Sequence, residues 1–197
     1  DLNKLLMIDK RDQAFQPTGG YRTKFVQSLP LVMDSSSLLN GFDVSAYHSF
    51  SEDVIGAAKF YARSIHGLND EDVRVTSRLY LPQRRLRGFK TSRVGPKDGD
   101  DWIGGNYITA LGFEAQMPNL LPESSRTDVS LFLDTGNVWS VDYSDSIDDT
   151  NKIRSSVGMA ANVYTVIGPL SFVLAQDLTK SNTDETESFN FRIGTSF

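Results

Sequence analysis

The chain has 197 residues, no cysteine, 20 basic and 25 acidic residues, and a formal net charge of −5. That composition excludes a disulfide scaffold and a thiolate metal centre, and it supplies no basic stripe of the kind nucleic acid selects. No run of about 18 apolar residues is present, which excludes a transmembrane helix, but a mean hydropathy of −0.30 suits membrane strands, which are apolar at only every second residue.

In chain order the sequence reads as strands, because apolar residues recur with period two. A weak strand covers 2–9, and Pro17-Thr18-Gly19-Gly20 marks a turn into a second strand over 21–31. A third follows over 42–50. Over 54–65, Lys59, Tyr61 and Arg63 share one face, and Ala58, Phe60 and Ala62 the other. Over 106–117, Tyr107, Thr109, Leu111, Phe113 and Ala115 oppose Asn106, Ala110, Gly112, Glu114 and Gln116. Over 126–139, Val129, Leu131 and Leu133 oppose Asp128, Ser130, Phe132 and Asp134. Over 153–164, Ile153, Val157 and Met159 oppose Arg154, Ser156 and Ala160, and over 169–177 Leu170, Phe172 and Leu174 oppose Ser171, Val173 and Ala175. The last segment is the clearest: Phe189, Phe191, Ile193, Thr195 and Phe197 oppose Asn190, Arg192, Gly194 and Ser196. The total is about nine strands with no amphipathic helix.

The connections differ in character. Short turn signals stand at 17–20 and 166–169, and long polar loops at 84–105, 140–152 and 179–187. Short turns at one end and long loops at the other fit an up-and-down outer-membrane barrel; a soluble β-sandwich binding module is the alternative. Trp139, Tyr143, Tyr164 and Phe197 suit interfacial girdles. His48 and His66 lie apart and read as surface or strand residues, so no metal site is expected. The acidic stretch 142–149 lacks the glycine turn and distal glutamate of a calcium loop and reads as solvated. No phosphate loop, catalytic triad or paired active-site carboxylates emerge, so neither an enzyme nor a cofactor is expected.

Specific motifs narrow the class. Leu86-Arg87-Gly88-Phe89 precedes Val94-Gly95-Pro96-Lys97 and Gly104-Gly105-Asn106. Gly112-Phe113-Glu114, Phe132-Leu133-Asp134-Thr135-Gly136-Asn137-Val138-Trp139 and Gly168-Pro169-Leu170 follow in that order, and the chain ends on 189–197. This series resembles the BamA family of outer-membrane assembly factors. The resemblance implies an all-β fold, the C-terminal part of a sixteen-stranded antiparallel transmembrane barrel, spanning 1–197, with a lumen-entering loop at about 81–105. It further implies a bacterial outer-membrane location and a protein that folds and inserts client barrels, with membrane lipid, unfolded outer-membrane clients and accessory lipoproteins as partners.

In that family the loop arginine meets acidic groups on the barrel wall, and here the candidates are Arg87, Glu114 and Asp134. Strand parity puts both carboxylates on the polar face, because a carboxylate at the lipid midplane costs about 2–3 kcal/mol or more. Gly88 would permit the tight backbone and Phe89 would anchor the loop tip. Arg84 and Arg85 read either as added lumen charge or as solvated. The terminal strand, with Phe189, Phe191, Ile193, Gly194 and Phe197, is implied to be one side of a lateral gate. By the same parity an arginine at Leu131 would face lipid, and one at Ser130 would face the lumen and be better tolerated. The rivals are a transporter of the same superfamily (two-partner or TamA type) and a passive pore governed by lumen residues such as Lys59 and Arg63.

Overall fold

The structure, a computed structural model, describes residues 2–30, 37–166 and 168–193. One antiparallel sheet of nine strands dominates it: β1 (Leu2–Asp9), β2 (Gly20–Leu29), β3 (Ser37–Ser49), β4 (Ile55–Gly67), β7 (Tyr107–Met117), β8 (Thr127–Trp139), β9 (Arg154–Thr165), β10 (Gly168–Thr179) and β11 (Phe189–Ile193). Each strand pairs with its neighbours in sequence, so the sheet is a pure up-and-down meander with β1 and β11 as its edges. A small hairpin, β5 (Lys97–Asp98) with β6 (Asp101–Trp102), lies within the connection from β4 to β7. The described helices are three single turns of 3₁₀ type, and among the described residues no helix is long and apolar enough to cross a membrane.

Period-two patterning sets the two faces. On β8, Leu131 and Leu133 are 50% and 43% exposed, whereas Ser130, Phe132 and Asp134 are 3%, 3% and 2% exposed. The same alternation leaves Phe113, Val157, Met159 and Leu174 outward, and turns Ile108, Ala110, Ala160 and Val173 inward. Tyr61, Ile108, Ala110 and Val138 on the inner face pack against Leu81, Leu86, Phe89 and Val94 of the 68–106 connection. The core therefore lies between the sheet and a loop that folds back onto it. This is the inverse of a soluble sandwich, whose second layer would be another sheet.

The two longest connections between described strands, 68–106 and 140–153, lie at one end together with 180–188, and 10–19, 50–54, 118–126 and the reversal from Thr165 to Gly168 lie at the other. The lumen loop expected at about 81–105 is closed at its base by a bridge between Leu79 and Gly105. Two expectations need correction. Pro17–Gly20 is not a free tight turn: Asp12 accepts hydrogen bonds from the Thr18 backbone and hydroxyl, and Gln16 reaches the Tyr164 hydroxyl at 3.3 Å and Asp128. Tyr164 accordingly belongs to the inner face, where its hydroxyl donates to Asp128 at 2.9 Å, and not to a girdle. Trp139 does suit one: it stacks on Tyr107 at 5.5 Å, and Tyr107 meets His66 edge-on at 5.3 Å, forming an outward aromatic belt at the long-loop end.

Ser130 faces inward as parity requires, but its hydroxyl donates to Glu114 at 2.7 Å and no room surrounds it. An arginine there would not be accommodated, so a half-buried inward position is the sounder comparison. Val26 shares the inward parity of Lys24, whose register partner is Asp43. Leu131→Arg is expected to destabilise the folded barrel in lipid vesicles by about 2–4 kcal/mol, and Val26→Arg by less than half of that. Denaturant titration of the full-length protein in vesicles checks the ranking, and the reverse order would overturn the assignment of faces.

Candidate functional site

The inner-face site is built from one loop residue and two strands. Arg87 stands between the 3₁₀ turn Gln83–Arg85 and the extended stretch that follows it. Its Nε and Nη2 donate to the two Asp134 oxygens at 2.7 and 2.9 Å, and its backbone N–H adds a third bond to Asp134 at 3.1 Å. This is the bidentate fork that a guanidinium can make and an ammonium cannot. Glu114 lies on the neighbouring strand, one register step from Asp134, since Gly112 pairs with Asp134 and Glu114 with Phe132. Its contact with Arg87 is long, 3.4 Å, while Lys59 and Ser130 each reach it at 2.7 Å. The two carboxylates do converge on Arg87, but unequally: Asp134 is its partner, and Glu114 mainly balances Lys59. Two cations and two anions offset one another, which limits the desolvation cost of burying Arg87, Glu114 and Asp134 while Lys59 stays partly exposed.

The rest of the loop tip is fixed by backbone geometry and packing. The Arg87 guanidinium lies 3.6 Å from the centre of the Phe132 ring, and the Ser156 hydroxyl donates to the Arg87 carbonyl. Gly88 has φ +90, and a Cβ there would stand 2.9 Å from Ala175 Cβ. Both conformation and space demand glycine. Phe89 is 1% exposed and bridges to Thr186.

Several anchors lay beyond sequence reasoning. Arg154 donates to both Asp184 oxygens at 2.9 and 3.1 Å, and Asp184 also accepts the Gly95 N–H at 3.2 Å. Both side chains are almost wholly buried. This pair ties the 180–188 connection, which leads into β11, to the lumen loop. Backbone bonds reinforce the tie: Lys90 N–H to Glu185 O, Glu185 N–H to Arg93 O, and Glu187 N–H to Gly88 O, at 2.9–3.1 Å. A further clasp joins Arg78 to Asp142, which also accepts the Val73 N–H at 2.8 Å and the Asn106 amide at 2.9 Å. Burial would raise the Asp142 carboxyl, but the Val73 and Asn106 donors outweigh it and hold it below the usual carboxylate range. The acidic 142–149 stretch is thus not solvated throughout.

Arg85 is neither loose nor solvated. With Arg63 it shares Asp43, at 3.1 and 2.6 Å, and the two guanidinium groups flank the Tyr61 ring at 4.9 and 4.2 Å. The only signal that could have found these anchors is that Arg154 and Asp43 occupy inward strand positions, where an unpaired charge would be costly.

On β11, Phe189, Phe191 and Ile193 project outward, and Phe191 meets Phe172 of β10 at 5.0 Å. Gly194 and Phe197 lie outside the described residues.

An apolar outer face, a charged inner face and a loop locked against it define part of an outer-membrane β-barrel. The chain matches the Omp85 superfamily domain over residues 2–197, and it belongs to that superfamily, within it resembling the BamA type. It is 27% identical, over 98% of its own length, to the outer membrane protein assembly factor BamA of Neorickettsia risticii, of which it spans 26%. It is 30% identical to BamA of Neisseria meningitidis over 57% of its length and 17% of that protein. In fold it is similar to the crystal structure of BamA from Haemophilus ducreyi lacking POTRA domains 1–3, with a TM-score of 0.85 and 23% identity, covering 97% of this chain and 41% of that one. The chain therefore spans about a quarter of the length of the first of these relatives.

Two predictions follow from the anchors. Removing one partner of a buried ion pair costs about 3–5 kcal/mol, so Arg87→Ala should free the 83–105 segment to exchange amide hydrogens, Arg87→Lys should rescue little, and Arg85→Ala should do much less because Asp43 keeps Arg63. Equal exchange in Arg87→Ala and Arg85→Ala would remove the special role of Arg87. For the second anchor, Arg154→Ala and Asp184→Ala should each expose 88–95 and 184–188 together, and the double variant should do no more than either single one. Additive effects would show that the two segments are not coupled through this pair.

Proposed function

We propose that this chain is the C-terminal part of the barrel of an outer-membrane assembly factor that folds and inserts β-barrel clients. The observation that carries the reading is the union of a lumen loop, pinned by Arg87 to Asp134, with the connection that launches the terminal strand. β11 pairs with β10 over five residues, and the 180–188 connection that leads into it is tied to the lumen loop through Arg154 and Asp184. A terminal strand held in place at its start, and able to part from whatever strand closes the barrel beside it, is a template on which a client strand can add by β-augmentation.

Phe189, Phe191 and Ile193 lie on that terminal strand in this reading, with Gly194 and Phe197 following in sequence outside the described residues, and Arg87, Gly88, Phe89, Glu114 and Asp134 form the loop lock. The work is strand pairing and local disturbance of lipid, without covalent catalysis. Closing the barrel requires further strands on both edges, since an unpaired edge in hydrocarbon leaves polar groups unsatisfied. Outer-membrane proteins as clients fit the names of the relatives, and accessory lipoproteins are partners that the proposal adds. A passive pore fits less well: Lys59 and Arg63 are both neutralised by ion pairs, and the loop fills the inner face they would line.

The test is reconstitution of the full-length protein in lipid vesicles with an unfolded outer-membrane client. Client folding should be accelerated, Arg87→Ala should slow it by at least about tenfold, and a cysteine at position 190 should cross-link to the client's last strand. Ion conductance with no effect on client folding would instead establish a pore.

A further inference from the structure

The outer face carries a depression of about 530 Å³, almost wholly apolar in lining. Its origin is a block of small residues at matched register. Ala46 pairs with Ala58 and Ala58 with Phe113, while His48 pairs with Gly56 and Gly56 with Ala115. Ala46, Ala58, Gly56 and Ala115 thus form a floor across three strands. Phe113, Leu131 and Leu133 wall one side, and the Phe50 ring folds over Gly56 on the other, so close that a Cβ on Gly56 would lie 2.4 Å from it.

The hollow opens on the lipid side of the sheet and lies close to the turn end, on the order of 10 Å from the 50–54 connection at strand rise. Asn119 ties the two turns beneath it, donating to the Glu52 carbonyl and the Asp53 carboxylate, both at 3.1 Å. Beside it, Leu120 and Leu121 are exposed. The rim formed by these two turns carries Glu52, Asp53 and Glu123 against Arg126 alone.

We propose that this hollow is a site for one zwitterionic, amine-headed phospholipid. One acyl chain lies over the alanine floor and the ammonium sits at Glu52 and Asp53, with Arg126 on the same rim for the phosphate. Lipid tails are as apolar as the side chains around them, so no hydrophobic force drives the chain in. Shape does: an unfilled hollow forfeits dispersion contacts along its floor, and one ordered chain restores them. Head-group choice comes from the rim, where an anionic glycerol head would meet carboxylates in excess.

This inference does not rest on the assembly reading, because its readout is bound lipid mass. The full-length protein is reconstituted in nanodiscs of equal parts phosphatidylethanolamine and phosphatidylglycerol and released for native mass spectrometry. One phosphatidylethanolamine should be retained over phosphatidylglycerol by about fivefold. Ala58→Phe, which fills the hollow, should abolish retention, Leu174→Phe elsewhere on the outer face should preserve it, and Glu52→Lys with Asp53→Lys should invert the preference. If Ala58→Phe does not fold, Ala46→Leu serves the same purpose. Retention unchanged by filling, a preference untouched by charge reversal, or a lipid-free dimer from the wild type would each overturn the proposal.

Discussion

The constraint on which everything else depends is the backbone's need for hydrogen-bond partners in hydrocarbon. The meander meets it: each of the seven strands between β1 and β11 in the nine-stranded sheet is paired on both sides. With the backbone satisfied by neighbours, side-chain identity is free to serve two solvents at once. One parity faces lipid and is apolar, and the other faces inward and can be charged. The hollow and the ion-pair wall are thus opposite sides of the same strands. Ala58 on one side neighbours Lys59 on the other, and Phe113 neighbours Glu114.

An inner face with charges but no partners would be costly, and that explains why the loop belongs there. Asp134 is 2% exposed, and without Arg87 it would be an isolated buried anion. Asp184 is in the same position without Arg154. The loop is held by complementary charge at defined points, with Leu81, Leu86, Phe89 and Val94 filling the space between them. Neither element suffices alone: the apolar contacts are non-directional, and the guanidinium forks set the register.

Period two made the strands legible, since eight of the nine began within two residues of the expected position and their facing held throughout β8. The exception, β3, begins at Ser37, five residues before the expected start at Phe42, through a stretch where Leu38, Leu39 and Asn40 break the alternation. The Arg87 cluster was legible for a different reason. The family resemblance marked the loop residue and its two candidate carboxylates, and parity agreed by turning Glu114 and Asp134 inward. Nothing comparable marked Arg154 with Asp184 or Arg78 with Asp142. In each of these pairs at least one partner lies in an aperiodic connection, and only the folded loops bring the two together. Ser130 shows the remaining gap. Parity gives the direction of a side chain, but the space available to it depends on what the loop has already filled.

The anchors are distributed unevenly along the strand axis, and this bears on how an edge strand could exchange partners. Arg154–Asp184, the bonds between 88–93 and 185–187, and Arg78–Asp142 all lie at the long-loop end. At the turn end of β10, by contrast, the sheet is held by ladder bonds, by the Thr165 hydroxyl on the Gly168 carbonyl at 2.6 Å, and by outward contacts such as Phe172 with Phe191. Opening β11 from its start would break buried ion pairs as well as ladder bonds, whereas opening it from its last described pair, Leu170 with Ile193, would break ladder bonds and exposed apolar contacts such as Phe172 with Phe191. Since a buried pair that loses one partner costs several times a net backbone hydrogen bond, the lower-energy route on the proposed function begins at the turn end, with the loop as the fixed point about which the strand parts.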